Sequence, residues 1–280
     1  MRQVKFLIKE AKTNTNTVDN ESISDELCSQ LLNRCQDFIM AELYNRNIKS
    51  NVFRGTQEIT ISPGVDTYDL PADIYAVNSI SSVSQAYENG TFRTLRQISE
   101  KDRGLKEGYF VARNSIIFSP KQNSLRVVGL SYTQKLPKVY ISYGTVISVT
   151  PTTILLDEYS DLSSVDDFLC VVDSNGSIIV DSVSFTQSDE VLTVASTAGI
   201  LAGMKVVPGK YSSTHSSLPD ECESSLVFML EKLIQARLSS SDIEIGTILS
   251  KDQVDQIGEM FSDNSGDSFM PPILEYTEWA

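Results

Sequence analysis

One histidine, one tryptophan and 23 basic residues among 280 leave this chain poor in the groups on which most enzymes and nucleic-acid binders rely. His215 lies in the run Ser212-Ser213-Thr214-His215-Ser216-Ser217 and has no Gly-x-Ser-x-Gly elbow to accompany it, so nothing marks a Ser-His-Asp triad. The four cysteines, Cys28, Cys35, Cys170 and Cys222, form no Cys-x-x-Cys pair. With one histidine they exclude the common zinc arrangements. Cys28 and Cys35 stand about two helical turns apart, too far to bridge within one helix. The cysteines therefore read as buried free thiols of a protein folded in the cytosol. Bases fall well short of the 37 acids, and the formal charge of −14 disfavours a phosphate-binding module while allowing DNA to slide past without being held. No apolar run reaches the length of a membrane span, and Phe6-Leu7-Ile8 is too short for a signal-peptide core. The expectation is a soluble chain, made in the cytosol without a secretory address.

Chemistry-bearing motifs are missing as well. No Gly-rich phosphate loop occurs. Asp173-Ser174-Asn175-Gly176-Ser177 resembles the start of a calcium loop, but Ser184 stands where the twelfth-position glutamate belongs, so the stretch reads as a hairpin turn. The acids Asp157, Glu158, Asp161, Asp166 and Asp167 read as a solvated loop, since no convergent group accompanies them. The sequence thus predicts no catalytic residue, no metal site, no cofactor and no enzyme.

What is present is a pattern of elements. Residues 11–21 are polar and read as a flexible lead-in. Ser22 and Asp25 stand at capping-box spacing, and Ile23, Leu27, Leu31, Cys35, Ile39 and Leu43 recur every fourth residue, widened by Leu32, Phe38 and Met40. This predicts an amphipathic helix over 22–47. From Asn51 the period becomes two. Strands are expected around 53–68, 74–83 and 125–132, with a hairpin of 109–111 and 115–118 across Arg113-Asn114, a turn at Asn89-Gly90 and a short helix at 97–106. Residues 137–212 hold only three bases, Lys138, Lys205 and Lys210, and predict short strands at 144–149, 153–157, 167–172, 177–186, 190–195 and 203–208. Such even spacing suggests a small barrel or sandwich. Helices return at Leu218-Pro219-Asp220-Glu221, whose face is Leu226, Met229, Leu230, Leu233, Ile234 and Leu238. A second box, Ser241 with Glu244, precedes a helix bearing Ile245, Ile248, Leu249, Ile257, Met260 and Phe261.

The fold class expected is α+β: a bundle formed by the N- and C-terminal helices, an antiparallel β unit, and an inserted small β-barrel or sandwich. The domains would be 1–136 together with 213–262 as a core, 137–212 as an inserted β domain, and 263–280 as an extended arm. That arm has no Lys or Arg and carries Phe269, Pro271, Pro272, Ile273, Leu274, Tyr276 and Trp279. Its two prolines forbid a helix, and its aromatics are of the kind that anchor a partner.

Taken together, Tyr68-Asp69-Leu70-Pro71-Ala72-Asp73, Gly108-Tyr109-Phe110-Val111, Ile117-Phe118-Ser119-Pro120, the strand ending at Tyr132 and the Leu218-Pro219-Asp220-Glu221 helix start make the chain resemble the head-to-tail adaptor (connector) proteins of short-tailed bacteriophages. The resemblance covers 22–135 and 213–262. It offers no catalytic residues to carry over. It implies a structural virion protein in a homo-oligomeric ring of about twelve copies. The ring would sit at the neck between head and tail, bind the portal, continue the DNA channel without gripping DNA, and meet a tail tube or nozzle and fibre proteins. Assembly would take place in the bacterial host cytoplasm, with no membrane involved. The arm residues 269–279 would dock on the portal. The rival readings are a tail-fibre or carbohydrate-binding module, which would need exposed aromatics on 137–212, and a hydrolase using the 157–167 acids.

Overall fold

The computed structural model describes residues 2–46, 53–86, 92–121, 126–158, 161–218, 220–241 and 243–262. The chain divides into two compact units: Met1–Ile48 with Leu136–Ser262, and a second that contains Lys49–Lys135.

The first unit opens on a helix where the sequence predicts only a short apolar group and a flexible lead-in. Helix α1 spans Val4–Asn14 and buries Val4, Leu7, Ile8 and Ala11. Those four positions follow the i, i+3, i+4, i+7 rule, but a stripe of four on eleven residues with no side-chain cap is marginal by itself and is stabilised by tertiary packing. Helix α2, Asp25–Asn45, begins later than expected. Ser24, not Ser22, caps it by accepting from Leu27 N at 3.1 Å, while the Ser22 hydroxyl donates to Asn20 Oδ1. Of the expected stripe, Leu32, Cys35, Ile39, Met40 and Leu43 are buried, joined by Cys28, while Leu27, Leu31 and Phe38 are partly covered.

Helix α3, Glu223–Leu238, follows a 3₁₀ turn at Asp220–Cys222. Leu226, Met229, Leu230, Leu233 and Ile234 are buried as predicted, whereas Leu238 is exposed. The next expected helix starts late too. Ile245–Thr247 is a 3₁₀ turn, and helix α4 runs Lys251–Ser262. Its capping box is Ser250 with Gln253, not Ser241 with Glu244: Ser250 N donates to Gln253 Oε1 at 2.9 Å and Gln253 N to Ser250 Oγ at 3.3 Å. Helix α2 packs on α1, α3 and α4, so the N- and C-terminal helices share one bundle.

The second unit holds β1 (Arg54–Ile61), β2 (Thr67–Asp69), β3 (Ile80–Ala86), β4 (Phe92–Thr94), β5 (Gly108–Ala112), β6 (Ser115–Ser119) and β7 (Arg126–Thr133). They form two antiparallel sheets, β1-β7-β3-β4 and β2-β6-β5, over a shared core of Ile59, Val83, Ile116, Phe118, Val128 and Leu130. The predicted 109–118 hairpin is present. The predicted strand at 74–83 begins only at Ile80, because Val77–Ser79 winds into a 3₁₀ turn closed by Ser79. The short helix predicted at 97–106 is a single 3₁₀ turn, Glu100–Asp102, capped by Ser99. The turn expected at Asn89-Gly90 lies outside the described residues.

Back in the first unit, β8 (Lys138–Val139) leads to the six strands predicted from spacing: β9 (Gly144–Val149), β10 (Thr153–Leu156), β11 (Phe168–Val172), β12 (Ile178–Ser188), β13 (Val191–Val194) and β14 (Lys205–Pro208). They close into an antiparallel barrel of order β10-β13-β12-β11-β14-β9. Its interior is filled by Val146, Ile154, Leu156, Leu169, Val171, Leu192, Val194 and Val206. Closure removes the exposed edges that a short six-stranded sheet would otherwise carry. The chain leaves through β15 (Ser212–Ser213), which runs parallel to β8.

Candidate assembly surfaces and the joints that support them

The Tyr-Asp-Leu-Pro-Ala-Asp element is a structural joint. Tyr132 Oη donates to Asp73 Oδ1 at 2.8 Å, and Gln134 Nε2 donates to Asp73 Oδ2 at 2.7 Å. Lys135 N donates to the Asp73 carbonyl at 2.7 Å. Asp73 thus fixes the end of β7. Tyr132 reaches it by lying across Gly55, its cross-strand partner on β1; a Cβ at Gly55 would stand 2.5 Å from Tyr132 Cε2. At the front of the element, Tyr68 Oη accepts from Ser62 N at 2.7 Å and its ring meets Phe118 edge-on with centroids 5.9 Å apart. Gly108, which opens the Gly-Tyr-Phe-Val strand, allows close approach of another backbone: its Cβ would lie 2.2 Å from the Arg96 carbonyl oxygen. The Ser119-Pro120 bond of the Ile-Phe-Ser-Pro element is cis, and the Ser119 hydroxyl accepts from Gly104 N at 2.8 Å.

A second joint ties the barrel's entry and exit to the bundle. The Asn33 carboxamide on α2 pairs with the Val139 backbone in both directions, donating to its carbonyl at 3.0 Å and accepting from its N–H at 2.8 Å. Gln36 Oε1 accepts from Ser216 Oγ at 2.6 Å. Val4 N donates to the Thr214 carbonyl at 2.9 Å. Arg2 grips Glu223 at the start of α3 through its backbone N–H at 2.8 Å and its Nε at 2.6 Å. The Ser/Thr run that the sequence presents as a boundary loop is therefore interior, with Ser212 through Ser216 all buried.

His215 lies in that run, packed against the turn glycine Gly176, where a Cβ would fall 2.4 Å from His215 Nδ1. Its Nδ1 shares a 3.0 Å hydrogen bond with Thr214 Oγ1, whose direction depends on the tautomer. Burial, reinforced by the charge of Lys205, holds its pKa below the ordinary histidine value. Asp173 shapes the same turn by accepting from Asn175 N and Ser177 N, each at 2.8 Å, as the hairpin reading required.

Three of the remaining acids have local partners. Asp157 accepts from Thr145 N, Asp161 from Ser164 N and Asp166 from Phe168 N, so these members of the 157–167 group act as turn and strand-end caps. Among the described residues no group of three or more His, Cys, Asp or Glu is arranged to hold a metal, and no helix is long and apolar enough to cross a membrane. All four cysteines are free and buried; burial raises Cys28 and Cys170 to about 11 and Cys35 to about 12. Of the aromatics that a carbohydrate-binding reading needs, Tyr143 is buried, and Tyr140, Phe168, Phe185 and Tyr211 are each partly covered. Tyr159 lies outside the described residues. So do the arm residues Phe269, Pro271, Pro272, Ile273, Leu274, Tyr276 and Trp279.

The family model described as SU10 adaptor protein matches residues 4–162. The match takes in α1, α2, the whole seven-stranded unit and the first barrel strands; it reaches beyond the 22–135 part of the sequence resemblance and does not extend to the 213–262 part. No curated protein matches the chain.

Proposed function

We propose, from the premise that the chain belongs to the SU10 adaptor protein family, that its copies form a ring of about twelve that joins the portal to the tail and continues the DNA channel. Membership makes the chain a structural adaptor component of a bacteriophage virion, and the family match over residues 4–162 is the observation that carries the reading. Two features support it. The family-like elements around Asp73, Tyr132, Gly108 and Ser119 serve as joints of a scaffold, as a structural role requires. The charge of −14 suits a conduit that DNA traverses without adhering.

In this reading the protein is located at the neck and assembles in the bacterial host cytoplasm. Residues 1–136 with 213–262 form the adaptor core. The inserted barrel, 137–212, receives tail tube, nozzle or fibre proteins. The arm, through Phe269, Pro271, Pro272, Ile273, Leu274, Tyr276 and Trp279, docks on the portal.

The test mixes the purified protein with the portal protein of the same phage and weighs the product by mass photometry. One adaptor copy per portal subunit in a discrete complex is expected; no association over a range of salt and concentration overturns the reading. Removing residues 263–280 should weaken portal binding while leaving the thermal midpoint unchanged. Undiminished binding by the truncated chain rejects the arm.

A further inference from the structure

A ring of identical copies requires two different faces on each subunit, complementary to one another. Opposite sides of the first unit carry such a pair. Helix α1 presents Lys5, Phe6 and Lys9 outward; Phe6 is 50% exposed, with Lys5 Nζ 5.1 Å from its ring centroid. Lys205 on β14 adds a third cation on this side, and burial together with the charge of Lys5 holds its pKa below the ordinary lysine value. None of the three lysines forms an ion pair with a described residue. Like charges gathered without a counter-ion are costly unless a partner supplies one.

The barrel order places β13 three strands from β14 in either direction, hence on the far side of the barrel. There the β12–β13 turn exposes Asp189 and Glu190. Asp161 is brought alongside because Leu162 N donates to Gln187 Oε1 at 3.0 Å. Leu155, 36% exposed and paired with Val191, supplies an apolar spot beside them. These three acids also lack an ion pair with any described residue.

We propose that the Lys5-Phe6-Lys9 face of one copy, with Lys205, docks on the Asp161-Asp189-Glu190 edge of the next copy, Phe6 resting against Leu155. This is a head-to-tail contact. It rests on the ring reading and names the surfaces that would build the ring.

The test uses two full-length variants, Lys5→Glu with Lys9→Glu, and Asp189→Asn with Glu190→Lys, each checked by thermal melt and assembled on the portal. Asparagine is chosen at 189 because that residue has φ +52, which asparagine tolerates. Each variant alone should lose ring assembly by roughly tenfold or more in midpoint concentration. An equal mixture should recover it, because each variant then meets a complementary neighbour. If Lys5→Glu with Lys9→Glu melts early, Lys5→Gln with Lys9→Gln replaces it, and a smaller loss is expected. Normal assembly by both variants overturns the contact and leaves the adaptor reading standing. If instead they assemble normally while the lysine variant alone loses DNA retention in a gel, the face belongs to nucleic acid and the contact is likewise overturned. Failure of the unaltered protein to form a ring with the portal overturns both readings.

Discussion

Tyr132 and Asp73, 59 residues apart in sequence, are joined by a 2.8 Å hydrogen bond that can form only because residue 55 is a glycine. The ring of Tyr132 occupies the space of a β1 side chain, and its hydroxyl emerges at the carboxylate that also receives Gln134. Gly55→Ala should displace the ring and cost about 1–3 kcal/mol, the usual penalty for forcing extra volume into a packed site. Asp73→Ala should cost about the same by leaving donors unpaired. Denaturant unfolding of the two single variants and the double variant checks this: because both act on one hydrogen bond, the double should fall short of the sum.

The Asn33–Val139 pairing makes a sharper case, since one side chain satisfies both backbone groups of one residue. Asn33→Asp keeps an acceptor for Val139 N–H but turns a carboxylate toward the Val139 carbonyl. Asn33→Ala leaves both groups unpaired. Losses of about 1–3 kcal/mol are expected for either. Hydrogen exchange should speed at the Val139 amide in Asn33→Ala and much less in Asn33→Asp.

Much of this fold is legible in the sequence. The six barrel strands are short, β-branched-rich and separated by polar turns, so spacing alone locates each to within a few residues. Helices α2 and α3 carry long apolar stripes. What escapes is whatever depends on a distant partner. Helix α1 has only four buried positions and takes its stability from α3 and from Arg2 on Glu223, whose partner is 221 residues away. The caps at Ser24 and Ser250 compete with equally plausible serines at 22 and 241, and only the local backbone decides between them. Residues Ser212 to Ser216 read as a loop by composition, yet lie inside because Gln36, Gly176 and the neighbouring backbone satisfy their polar groups. Of the proposed assembly surfaces, the arm's composition is visible in sequence, but the opposition of Lys205 and Glu190 appears only once the barrel is closed.

The cysteines should be inert. Thiols raised to about 11 or 12 are protonated at pH 8, and burial shields them further. A disulfide-exchange reagent should modify the native protein at least roughly a hundredfold more slowly than the protein in guanidinium, where all four react. Fast reaction of one thiol in the native state would contradict its burial.

His215 should make stability depend on pH. Its pKa in the folded chain lies below 6.5, the ordinary value it regains on unfolding. Between the two values the unfolded chain binds more protons, so stability is full above 6.5 and falls as pH drops toward the folded value, below which this contribution is constant. Burial sets the sign; Lys205 adds to it by opposing protonation, and Asp173 in the Gly176 turn favours protonation less strongly. His215→Gln should flatten the pH dependence of the denaturation midpoint between pH 7 and 5 relative to the unaltered chain, at some cost in packing against Gly176. Lys205→Met should instead raise the folded pKa toward 6.5, which narrows the pH window and makes the loss of stability smaller. If the midpoint is flat in the unaltered protein, or equally steep in His215→Gln, another group governs the acid limb.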